Sequence, residues 1–281
     1  HNFSEFLKLE FNPNLSYFLI SSFLITCLSI FFNAIAWKFL LLDLKFNCTN
    51  LKIIDVFICT NIYKYLPGGI WHLVNRFKII KNELRLFESV LSIILEPYLM
   101  VCAGLLIMIT GDYPYYLKII LFLPSLLLFP KIINLSHKFL LKIINGNNFL
   151  LQKLDFKLNQ FKPSDKNYPL HALFFELLFI ITRFSGFWLC LNVFTIYDDI
   201  SFISCISVFC IAWIIGLIVP SAPGGLGVFE STTMLLLSNK LATEIIITSL
   251  IYYRIISTFA DLSMFILFST KKRFFPLKKS I

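Results

Sequence analysis

The stretch "LSYFLISSFLITCLSIFFNAIAWKFLLL", residues 15–42, carries one formal charge, Lys38. About 20 consecutive apolar residues are enough to cross a hydrocarbon core of roughly 30 Å. Comparable runs recur at residues 87–110, 116–134, 169–195 and 243–269. Backbone polar groups find no water in lipid, so such runs must form helices that satisfy themselves. These runs predict an all-α, polytopic membrane helical bundle. Composition agrees: 58% of the 281 residues are hydrophobic and 15% charged, against about 45–50% and 25% in soluble domains.

A net charge of +9 first suggests nucleic acid, but the basic residues gather in links between apolar runs and at the C-terminus. No soluble segment exists to carry a basic patch, so nucleic-acid binding is set aside. Seven cysteines are scattered through apolar runs without metal-ligand spacing. They read as small hydrophobes, so no metal and no cofactor are expected. HExxH, GxSxG and Walker A motifs are all missing, which argues against an enzyme. Asp198–Asp199 reads as a solvated acidic turn.

Two apolar segments contain strong helix breakers. The first, residues 53–75, holds "YKYLPGGIWHLVNR" and the second, 200–239, holds "VPSAPGGLGVFE". Placing the C-terminal tail, the central loop and the links around residues 53–75 on the cytoplasmic side, with Lys38, collects 19 of the 25 Lys and Arg residues there. The opposite side then receives Lys8, Lys118 and Lys240 against six acidic residues, a strong positive-inside bias. That arrangement requires each broken segment to return to the side it came from. Both are therefore expected to be re-entrant hairpins.

The chain then divides into half one (15–134), a basic connector (135–168), half two (169–270) and a basic tail (271–281), all within one integral membrane domain (1–281). In each half a broken segment follows one span and precedes another, and the first spans run in opposite directions. That is the layout of an inverted repeat, in which paired interrupted segments mark a transporter's substrate site. The stretch "LLQKLDFKL" in the connector reads either as an amphipathic surface helix or as solvated linker.

The candidate substrate-binding residues are Tyr65, Pro67, Gly68, Gly69, Arg76, Arg183, Pro223, Gly224, Gly225, Gly227, Glu230 and Arg254. Glycine lets a ligand approach the chain closely, and a helix resuming after a break points free N–H groups at it, a ready anion site. A kinked helix with satisfied backbone would give the same letters. Arg183 and Arg254 lie deep in their spans, where charges pair or line a cavity. Asp261 or Glu230 is the expected partner of Arg183. Arg76 suits phosphate or marks topology, and Tyr65 and Trp71 also fit interface aromatics.

"KYLPGGIWHLVNR" together with "PSAPGGLGVFES" resembles the integral-membrane family that includes the transmembrane region of lysylphosphatidylglycerol synthases and flippase-like proteins associated with glycosyltransferases. Gly224 to Glu230 is the more specific element and Tyr65 to Arg76 the second. Where the family commonly has Arg before the final Glu, this chain has Phe229, so no arginine role transfers there. The aminoacyl-transferase domain is missing, so lipid aminoacylation is not implied. The resemblance implies a flippase-like transporter of a lipid or lipid-linked headgroup, with anionic or sugar-bearing membrane lipids as partners, in a bacterial plasma membrane, where the charge bias puts the C-terminus on the cytoplasmic side. It also implies a span upstream of His1. Two alternatives stay open: a non-catalytic membrane partner that recruits a glycosyltransferase or another lipid-modifying enzyme, and an embedded lipid-modifying enzyme.

Overall fold

The computed structural model describes residues 12–46, 51–111, 113–129, 167–194, 200–219 and 223–270. The connector reading, the Asp198–Asp199 turn and the basic tail lie outside them. Among the described residues the regular structure is helical: α1 (Leu15–Asp43), α2 (Ile53–Asn61), α3 (Trp71–Ile80), α4 (Leu86–Met108), α5 (Tyr115–Leu126), α6 (Leu170–Leu191), α7 (Phe202–Ile218), α8 (Val228–Leu237) and α9 (Thr243–Ser269). Short 3₁₀ turns follow α2 at Ile62–Tyr65 and precede α8 at Pro223–Gly225. Four helices, α1, α4, α6 and α9, are long and apolar enough to cross a membrane.

Beside its apolar core the bundle also buries polar side chains, and it turns many apolar ones outward. On α9, Ile247, Ile251, Ile255 and Phe259 recur every fourth residue and are exposed, while Tyr253, Ser257 and Asp261 are buried. On α1 the buried face carries Ser22, Thr26, Ser29 and Asn33, small side chains spaced along one stripe. They meet α6, where a Cβ at Gly186 would sit 2.6 Å from Thr26 Oγ1. Ser22 Oγ donates to the Gly186 carbonyl at 2.7 Å. At the far end of the same pair, Asp43 receives the Ala172 N–H at 3.4 Å and lies 3.0 Å from His171 Nδ1. So α1 and α6 run antiparallel in close contact through the middle of the molecule.

Around that central pair, α9 packs on α1 and α4 on α6; α9 packs on α2 and α4 on α7; α3 packs on α4 and α8 on α9. Exchanging α1 with α6, α2 with α7, α3 with α8 and α4 with α9 maps each of these pairings onto another that is present. Helices α2 and α3 fold on each other, as do α7 and α8, and the two 3₁₀ turns meet.

Several boundaries differ from those expected. The first broken segment continues to Ile80, so Arg76 and Lys78 belong to helix α3 rather than to a link. Pro97 lies inside α4 without ending it. The run expected as a span over 116–134 is described as helix only to Leu126. Pro124 lies within its last turn, and the Pro124 and Ser125 carbonyls accept from the Tyr98 and Tyr168 hydroxyls at 2.6 and 3.0 Å.

Candidate functional site

Each break is built from consecutive glycines in left-handed backbone. Gly68 and Gly69 have φ of 96° and 65°, and Gly224 and Gly225 have 62° and 71°. Side chains rarely tolerate this region, which is why glycine recurs at both bends. At the second bend a Cβ on Gly225 would lie 3.2 Å from the Gly216 carbonyl oxygen. The two bends touch where the Tyr65 ring faces Gly224.

Helix α9 fastens both bends. Its Asp261 accepts from Asn61 Nδ2 at 2.8 Å and from Tyr65 Oη at 2.6 Å, and pairs with Lys64 Nζ at 2.7 Å. Its Arg254 pairs with Glu230 and donates to the carbonyls of Gly224 at 3.0 Å and Gly225 at 3.2 Å. Glu230 in turn accepts the Gly227 N–H at 2.7 Å and so caps α8. Arg254 thus holds two carbonyls of the second bend, and Glu230 takes up one of the N–H groups expected to be free at the start of α8. At the first bend no side chain caps the start of α3, and Gly69 and His72 beside it line a cavity.

A third pair ties α3 to α4. Arg76 lies 3.1 Å from Glu96, donates to Thr60 Oγ1 at 3.2 Å, and holds its guanidinium 3.6 Å from the centre of the Phe57 ring. It is 1% exposed, which replaces the reading of Arg76 as a topology signal at the membrane edge. Half two repeats the arrangement with the charges exchanged, the pair Glu230–Arg254 joining α8 to α9.

These elements enclose a cavity of about 310 Å³. Of the expected residues, Tyr65, Gly69, Arg76, Arg183, Gly224, Gly225 and Arg254 line it. Gly68, Gly227 and Glu230 do not. The Pro67 carbonyl holds the Trp71 indole N–H at 2.7 Å in the outer turn, and Pro223 is described only through its backbone in the second 3₁₀ turn. Tyr65 is bound to Asp261 and is not an interface aromatic.

Arg183 is the exception to the pairing. It is 9% exposed, its Nη1 lies 3.5 Å from Ser29 Oγ, its Nε has no hydrogen-bond partner, and its guanidinium lies 6.0 Å from the Tyr253 ring centre. The expected pairing with Asp261 or Glu230 does not occur: Lys64, Asn61 and Tyr65 occupy Asp261, and Arg254 holds Glu230. Among the described residues Arg183 has no ion pair, and it faces the cavity.

Asn61, Lys64 and Glu96 complete the site beyond the expected set. Lys64 carried a legible signal, a lysine three residues before Pro67 in an otherwise apolar segment. Asn61 carried none, since its part depends on α9 arriving beside it. No group of three or more metal-ligating side chains occurs among the described residues. The chain matches no family model and no curated protein.

Proposed function

We propose that the chain is a lipid transporter that passes an anionic headgroup through this cavity while the acyl tails remain in the bilayer. The observation that carries this reading is Arg183, a nine-tenths-buried guanidinium without an ion pair, facing a cavity where two glycine-rich bends meet. An unpaired buried cation is costly, and an incoming phosphate removes that cost with charge-assisted hydrogen bonds. The uncapped start of α3 adds a favourable dipole for the same anion. The resemblance of both motifs to flippase-like proteins points in the same direction.

The reading takes the two broken segments as re-entrant hairpins entering from opposite faces. Ten-residue helices such as α3 and α8 extend only about 15 Å, half the hydrocarbon thickness. The exchange of helix pairings between halves supports an inverted repeat, and the charge distribution supports a cytoplasmic C-terminus in a plasma membrane.

The test is headgroup translocation in reconstituted vesicles carrying fluorescent phosphatidylglycerol or phosphatidylcholine. Wild type is expected to move the anionic lipid faster. Arg183→Gln is expected to lower that rate roughly tenfold, the worth of one charge-assisted contact, and Arg183→Lys to retain part of it. Equal rates in wild type and Arg183→Gln would overturn the site.

A further inference from the structure

Among the described residues the cavity wall carries four cations, Lys64, Arg76, Arg183 and Arg254, and one carboxylate, Glu96. Glu96 pairs with Arg76, while Asp261 and Glu230, which do not line the cavity, pair with Lys64 and Arg254. Every cation but Arg183 is thereby matched, and the wall keeps one positive charge over. Glu176 of α6 does not alter that balance. It is 0% exposed and neither of its oxygens has a hydrogen-bond partner, and a carboxyl group buried in this way is stable only as the neutral acid.

The paired cations differ in what they leave unused. Arg254 spends its Nε on Glu230 and its two Nη groups on the Gly224 and Gly225 carbonyls. An ammonium group has three N–H donors, and Lys64 Nζ gives one of them to Asp261. Asp261 also accepts from Asn61 and Tyr65. Lys64 lines the cavity with its side chain 20% exposed, so two of its donors are left for a ligand without breaking the pair. Lys64 and Arg183 are close enough to act on each other, and Asp261 acts on both. One carboxylate charge there stands against two cations.

We propose that this site is matched to a singly charged phosphodiester whose two non-bridging oxygens are shared between Arg183 and Lys64, and not to a diphosphate or a phosphomonoester. The inference rests on the transport reading above and narrows it. One negative charge cancels the positive charge left over, whereas a second would be buried without a partner in a low-dielectric interior. Each oxygen gains charge-assisted hydrogen bonds, and an anion between the two cations relieves their repulsion. A lipid whose headgroup is attached through one phosphodiester meets this requirement. A lipid diphosphate does not.

The experiment sets short-chain phosphatidylglycerol in competition with farnesyl diphosphate, and separately with phosphatidic acid, for the purified full chain in detergent. Bound lipid is read by native mass spectrometry at about pH 9, where the phosphomonoester of phosphatidic acid carries about two charges. Phosphatidylglycerol is expected to win each competition roughly tenfold. Glu230→Gln, which releases Arg254 from its carboxylate, adds a positive charge to the wall and should erase that preference. Lys64→Gln should weaken phosphatidylglycerol binding roughly tenfold, and Lys64→Arg should retain most of it. Wild type taking either doubly charged ligand as readily as phosphatidylglycerol overturns the charge match and leaves the transport reading standing. A preference unchanged in Glu230→Gln, or full phosphatidylglycerol affinity in Lys64→Gln, overturns it as well. Binding of no anion at all overturns both readings. The wild-type competition decides the matter even if a variant does not fold.

Discussion

At Gly225 the backbone takes φ of 71° with the Gly216 carbonyl oxygen 3.2 Å from where a Cβ would stand. Gly225→Ala therefore combines left-handed strain with a close backbone contact, and is expected to cost about 1–3 kcal/mol, read as a lower thermal midpoint in detergent. Gly227 also has positive φ, at 84°, but an added Cβ there meets nothing within 4 Å, so Gly227→Ala should cost less. If both variants melt alike, the contact with Gly216 is not what selects glycine. The glycines were legible in the sequence because doubled glycine after proline has few other uses in an apolar run. The partners of Arg183 were not. Asp261 and Glu230 were plausible by depth alone, but Lys64 and Arg254 compete for them, and only the folded arrangement decides that competition. The three basic residues that a count of flanking charges leaves over, Lys64, Arg183 and Arg254, all line the cavity.

Between elements, the ion pairs act as fasteners. Arg76 and Glu96 are 1% and 3% exposed, so removing one leaves the other as a buried, uncompensated charge. Arg76→Met is expected to destabilise the protein by about 3–5 kcal/mol, while Arg76→Met with Glu96→Leu should recover most of that loss. A thermal-unfolding double-mutant cycle measures it; a double variant as unstable as the single one would show that the pair does more than neutralise itself. The Glu230–Arg254 pair is about a quarter exposed on each side chain, so Glu230→Gln should cost far less stability. Its effect should instead fall on the α8 cap and the second bend. The four long helices were readable from length and hydropathy. The end of α3 was not, because Arg76 and Lys78 look like a polar link until Glu96 and the Phe57 ring are seen to enclose the arginine.

Over the whole molecule, the antiparallel α1–α6 pair is central, and the pairings of α2, α3 and α4 recur as those of α7, α8 and α9. The small residues Ser22, Thr26 and Gly186 within that central pair gave no strong signal in the sequence, since serine and threonine are unremarkable in any membrane helix and the close approach depends on both partners. In the sequence, the proposed inverted layout rests on charge counting and the two Pro-Gly-Gly strings alone. In the account proposed, the bends enter from opposite faces and meet at Tyr65 and Gly224, around a space that an anionic headgroup can occupy. The most direct measurement is labelling of single cysteines by a membrane-impermeant maleimide, in intact and opened vesicles, with the native cysteines replaced. Lys45→Cys and Lys81→Cys should react from one side, and Ser201→Cys and Lys240→Cys from the other. Lys45→Cys and Lys81→Cys reacting from different sides would contradict the account, as would Ser201→Cys and Lys240→Cys doing so.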